Sequence, residues 1–224
     1  MKKATTLVLM IVLAFNFTSC SENEELVLEP QTELLKSYTV KKDQSGSYFL
    51  EYKLSENATA ENVINKVTNV NEFHLYESDN QSKRNFSKDM FLDDDQLKIG
   101  FVNTNSDKKS YITIVDDHIV FAKDKENKLL KDYSITSNGD TTYQLNFNVK
   151  EDVAVSFVYN EEEAIYEIHL QDGSASNATF SRTFTKDADV DLKIDFINHT
   201  NSSRNIASKE DAQPRKPRMI IIDM

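Results

Sequence analysis

The chain has 224 residues, with 26 Lys and Arg against 37 Asp and Glu and a formal net charge of −11. That balance argues against a nucleic-acid partner, because phosphate binding needs clustered cations, and an acidic surface is repelled by anionic lipid. A single cysteine leaves no internal disulfide, so stability must come from a core, for which 39% apolar residues with 13 Phe and 9 Tyr provide the material.

The first element is an apolar run over 7–17 preceded by Lys2 and Lys3. This is the layout of a secretory signal peptide, and it is short of the ~20 residues a membrane-spanning helix needs. The only cysteine, Cys20, follows Ser19 where such a signal would be cleaved. The arrangement resembles the signal peptides of bacterial lipoproteins, in which the cysteine becomes an acylated N-terminus. The resemblance implies a signal peptide over 1–19, palmitate-type lipid attachment at Cys20, and a membrane contact made through that lipid. Removing Lys2 and Lys3 with the signal takes the mature charge from −11 to −13. Ser21-Glu22-Asn23-Glu24-Glu25 is similar to the short acidic export signal that sends lipoproteins of certain Gram-negative bacteria to the exterior face of the outer membrane. That resemblance implies a surface-exposed protein; a solvated tether on a periplasm-facing protein is the alternative.

Residues 20–36 are polar and acidic, contain Pro30, and read as a tether. Period-two alternation then predicts a strand over 48–54, with Tyr48, Leu50, Tyr52 and Leu54 on one face. Val63, Ile64, Val67 and Val70 recur at helical spacing behind Thr59 as a cap, predicting one short helix over 59–70. Strands are expected again over 73–76, 97–101, 111–115 and 119–122. Segments 130–136 and 141–149 flank Asn138-Gly139, which predicts a hairpin closed by a type I′ turn. Further strands are expected over 153–159, 164–170, 179–184 and 190–197. About eleven short strands, each with one apolar face, predict an all-β fold: an antiparallel β-sandwich, jelly-roll or immunoglobulin-like, over 37–199. Neither a repeat period nor a proline-rich seam is visible, so one domain is expected, with two small sandwiches as the lesser alternative. Residues 200–224 form a polar tail ending in Met219-Ile220-Ile221-Ile222, read as a final edge strand or as a segment for strand addition to a partner.

Few constellations point to chemistry. Gly46, Gly139 and Gly173 sit in turn-like settings and Gly100 in a strand, where it marks a bulge or a close approach. That leaves no glycine-rich phosphate loop or dinucleotide fingerprint, and no cofactor is expected. His74, His118, His169 and His199 stand at no metal-ligand spacing, although Glu163, Glu167 and His169 share a strand face. Asp187, Asp189 and Asp191 offer carboxylates at alternate positions, a calcium candidate that lacks the EF-hand Gly and Glu; Asp93, Asp94 and Asp95 form a second acidic run. Tyr48, Tyr52, Tyr76, Tyr111 and Tyr166 are strand-borne aromatic platforms for a sugar. No catalytic residue is assigned. The expected function is a non-catalytic binding or adhesion module for a protein or glycan ligand, with a lipocalin-like carrier of a small apolar ligand, or a glycan hydrolase, as alternatives.

Overall fold

The computed structural model describes residues 33–79, 84–116, 129–139, 141–173, 177–187, 189–199 and 217–223. Cys20, His118 and the strand expected over 119–122 lie outside them. The described residues form an all-β sandwich of two large sheets, with fourteen strands and no helix. In chain order the strands are β1 (Leu35–Lys42), β2 (Tyr48–Leu54), β3 (Ala58–Asn65), β4 (Val70–Glu77), β5 (Asn85–Met90), β6 (Gln96–Asn103) and β7 (Lys109–Val115). They continue with β8 (Leu130–Ser137), β9 (Thr142–Val149), β10 (Val153–Asn160), β11 (Ile165–Asp172), β12 (Thr179–Thr185), β13 (Leu192–His199) and β14 (Met219–Asp223). One sheet runs β12-β9-β8-β1-β2-β5, and the other runs β10-β11-β13-β14-β7-β6-β4-β3.

Alternation explains the best-formed strands. Tyr48, Leu50, Tyr52 and Leu54 of β2 are buried while Glu51 and Lys53 are exposed, and Tyr143, Leu145, Phe147 and Val149 do the same on β9. Inward aromatics lock the sheets together: Tyr38 stacks on Phe101 at 5.0 Å between ring centroids, and Phe147 meets Phe196 edge-on at 5.4 Å.

The order conceals a duplication that the sequence reading missed. β1–β2, β2–β5, β3–β4 and β6–β7 pair antiparallel and β4–β6 pair parallel. The same five pairings recur as β8–β9, β9–β12, β10–β11, β13–β14 and, in parallel, β11–β13. Equivalent strands meet at the junction, β1 with β8 and β7 with β14, both antiparallel, so the halves are related as in a two-fold dimer. Both parallel pairings lie in the eight-stranded sheet and make it mixed, whereas the six-stranded sheet is wholly antiparallel. Matching residues stand at matching places: Leu34-Leu35-Lys36 with Leu129-Leu130-Lys131, Tyr38 with Tyr133, Tyr48 with Tyr143, and Leu97-Lys98-Ile99 with Leu192-Lys193-Ile194.

Three further expectations are corrected. The helix over 59–70 is instead β3, paired with β4 from Ala58↔Glu77 to Asn65↔Val70. β-branched Thr59, Val63 and Ile64 suit an extended backbone, and Val63, Ile64 and Val67 are exposed, Val67 by 94%, while Val70 is buried at the start of β4. Asn65 Oδ1 accepts the backbone N–H groups of Val67 and Thr68 at 3.1 and 3.3 Å, and Asn69 takes a φ of 55°, so side-chain turn chemistry closes the hairpin. The 138–139 hairpin is present, but its last pair is Ser137↔Tyr143, so its loop is wider than a two-residue type I′ turn. The terminal strand is not an edge: β14 lies between β13 and β7, with Met219 and Ile221 buried.

Candidate functional site

The junction of the halves carries a polar cluster inside the sandwich. β1 and β8 pair with Lys42 opposite Tyr133 and Tyr38 opposite Ser137, which makes Ser137 the counterpart of Lys42. Asp116 follows β7 and Asp223 ends β14 at matching places. In the first half the cluster is closed. Lys42 Nζ donates to Asp116 Oδ2 at 2.6 Å, with the two side chains only 3% and 9% exposed. Tyr48 Oη donates to the same oxygen at 2.9 Å, and Tyr133 Oη donates to Tyr48 Oη at 3.3 Å. The Lys42 ammonium also lies 5.3 Å from the centre of the Tyr48 ring. Burial, followed by the charges of Tyr133 and Asp116, pushes the Tyr48 hydroxyl far above the usual phenol range, and burial does the same to Tyr133.

In the second half one short side chain changes the outcome. Tyr143 Oη donates to Asp223 Oδ2 at 2.9 Å, repeating the Tyr48–Asp116 bond. Ser137, however, stands where the Lys42 stem would be, and a cleft of about 490 Å³ opens there. Its apolar floor is Leu34, Leu75, Phe101 and Tyr38, and its polar wall includes Ser110, Ser137, Thr141 and Asp223. Lys186, buried and arriving from beyond β12, approaches Asp223 only to 3.7 Å and donates to the Asp187 carbonyl at 3.2 Å. Lys108, Lys109 and Glu33 stand at the rim.

The Tyr38 hydroxyl is the group this arrangement leaves over. Tyr38 is 2% exposed, and its oxygen makes no hydrogen bond. The hydroxyls of Ser110 and Tyr143 are its polar neighbours without reaching bonding geometry, whereas its counterpart Tyr133 is bonded to Tyr48. Burial, then the charges of Tyr143 and Asp223, raises the Tyr38 pKa well above the ordinary 10.0, so it is a neutral hydroxyl able to donate. A buried polar group without a partner costs about 1–3 kcal/mol, and a bound ligand relieves that cost.

The residues singled out from sequence fall elsewhere. The Asp187 carbonyl accepts from Lys186 Nζ and from the Val190 N–H. Asp93 bridges to Gln96 and takes a hydrogen bond from Asn69, while Asp94 and Asp95 have φ of 46° and 59°. Among the described residues no three His, Cys, Asp or Glu side chains assemble a metal site, so Asp187, Asp189 and Asp191 are not gathered into one. Glu167 and His169 do meet at 2.9 Å, and His169 stacks on His199 with 2.7 Å between ring nitrogens. Glu163 instead gives its backbone N–H to Asn160. The same outer-face motif recurs in the first half, where His74 and Asn65 bind Glu72 at 3.0 and 3.1 Å. Burial pushes Glu72 up, but those two hydrogen bonds and the charges of His74 and Lys109 outweigh it and hold the carboxyl below its ordinary 4.5.

Of the tyrosine platforms, Tyr48 and Tyr52 are core residues and Tyr166 packs between Tyr159 and Phe184. Gly100 marks a close approach, as a Cβ there would stand 2.6 Å from Tyr111 Cε1. Sequence reasoning missed Tyr38, Ser137, Lys186 and Asp223, whose role depends on pairing two halves whose repetition was not seen. Among the described residues no helix is long and apolar enough to cross a membrane. No protein-family model, curated protein or solved structure matches this chain.

Proposed function

We propose that this chain is a non-catalytic binding module of a bacterial cell envelope, held by lipid at Cys20 and displayed from the outer membrane, and that it binds a small ligand in the cleft between its repeats. The observation that carries the binding reading is the buried, partnerless Tyr38 hydroxyl facing a cleft that the matching half fills with Lys42. A volume of about 490 Å³ falls within the ~300–1,000 Å³ usual for small-molecule sites. The anchor reading is supported by the Ser19-Cys20 junction and the acidic run behind it.

Three measurements test the two parts. Labelling cells with an alkyne palmitate should tag the wild-type chain and leave Cys20→Ser untagged, and protease added to intact cells should digest the tagged protein. For the cleft, a thermal-shift screen of small metabolites should yield ligands whose stabilisation disappears in Ser137→Met. A ligand at a hundred times its Kd adds ~2.7 kcal/mol, a shift large enough to detect. An untagged wild-type chain removes the anchor, and a screen without Ser137-dependent hits removes the binding site.

A further inference from the structure

We infer that the cleft takes a small amphipathic anion, its head group beside Lys108, Lys109 and Lys186 and its apolar body on Leu34, Leu75 and Phe101. This assignment of ligand class rests on the binding reading above. It follows from comparing the two halves. In the first, a four-carbon stem and an ammonium from Lys42 occupy the equivalent space, and the Asp116 carboxylate accepts from both Lys42 and Tyr48. In the second, Asp223 already accepts from Tyr143 and faces Lys186. The polar atom of this cleft left without a bond is the Tyr38 hydroxyl, which can donate or accept. Lys108, Lys109 and Lys186 already supply donors around it, so an acceptor is the partner that fits.

Charge points the same way. Three lysines and two carboxylates, Glu33 and Asp223, line the cleft, a formal excess of one positive charge in a chain of net charge −11, with Lys109 also shared with Glu72 and Lys186 with Asp223. An anion drawn to that mouth is favoured and a cation is opposed. The floor requires more than a bare inorganic anion, because Leu34, Leu75 and Phe101 present carbon and are otherwise core residues. A carboxylate, sulfonate or phosphate on a short hydrocarbon satisfies both ends.

Isothermal titration of the chain from Ser21 to Met224, which contains every described strand, separates the possibilities with three probes of one length: octanoate, octylammonium and octanol. Octanoate should bind, with octylammonium at least about tenfold weaker. Tyr38→Phe should weaken octanoate about tenfold with no fall in Tm, since its hydroxyl has no bond to lose. Ser137→Met, which restores the Lys42 stem without its charge, should abolish octanoate binding in a chain that still melts cooperatively. Octylammonium binding as tightly as octanoate overturns the assignment, as does octanoate binding that ignores both variants. Octanol binding alone overturns the anion class but keeps the binding reading, whereas binding of none of the three overturns both.

Discussion

Lys42 keeps an ammonium away from water, where desolvation costs several kcal/mol per ion and only a close counter-charge offsets it. Asp116 provides that charge at 2.6 Å. Lys42→Met should therefore strand a buried carboxylate and destabilise the chain by about 3–5 kcal/mol, read as a lower urea midpoint with an unchanged slope. Adding Asp116→Leu should recover most of the loss, because the cost lies in the unpaired charge rather than in the missing pair. A loss below about 1 kcal/mol in the single variant would mean that Tyr48 alone satisfies Asp116. Paired exchanges recur at the junction. Gly100 lies under the Tyr111 ring, and the counterparts of these residues in the second half, Asp195 and Arg218, form a buried ion pair instead. Gly100 was legible as a close approach because glycine inside a strand has few other uses. Asp195 and Arg218 read as ordinary surface charges, since sequence alone does not show that one buries the other.

Elements were legible where one face is apolar and the other polar. β2 and β9 alternate cleanly, and both are in the structure where the pattern places them. No strand is predicted over 37–42, where β1 lies, because its inward row, Tyr38, Val40 and Lys42, ends in a charge that a period-two reading sends to solvent. β5 is an edge strand whose pattern, with Met90 as its buried end, carries little apolar signal. β3 was read as a helix because edge position lets Val63 and Ile64 stay exposed, and exposure removes the constraint that makes spacing informative. The sequence places β14 at an edge because a polar stretch precedes it, yet it joins the halves between β7 and β13. Ending the chain at residue 216 would remove buried Met219 and Ile221, worth ~1.5–3 kcal/mol each. It would also remove the Tyr143–Asp223 and Arg218–Asp195 bonds and open two strand edges. The combined loss rivals a net stability of ~5–15 kcal/mol, so the truncated chain should lack a cooperative melt by circular dichroism. A wild-type-like melt would show that β14 is an accessory.

Duplication at the level of the whole molecule is legible only in retrospect, because identities such as Leu50 with Leu145, Glu72 with Glu167, His74 with His169 and Phe101 with Phe196 are scattered among unlike neighbours. They fall on core positions, where packing restricts the choice, and on one repeated outer-face motif, while exposed positions between them differ freely. Two repeats usually suggest two independently melting bodies, but here both sheets cross the junction and Tyr133 of one half bonds Tyr48 of the other. The two halves should therefore unfold together. Alkali offers a direct check, because Tyr38, Tyr48, Tyr133 and Tyr143 straddle the junction and all have pKa values raised above the ordinary 10.0, chiefly by burial. A raised folded pKa means that folding favours the neutral phenol. The stability these groups contribute is whole below pH 10 and falls as pH rises above it, where only the unfolded chain can ionise them. The four junction tyrosines should ionise in a single step above the ordinary 10.0, phenolate absorbance rising together with the loss of β circular dichroism. Two separated steps, each losing part of the sheet, would show that the halves are autonomous and that the cleft lies between bodies free to part.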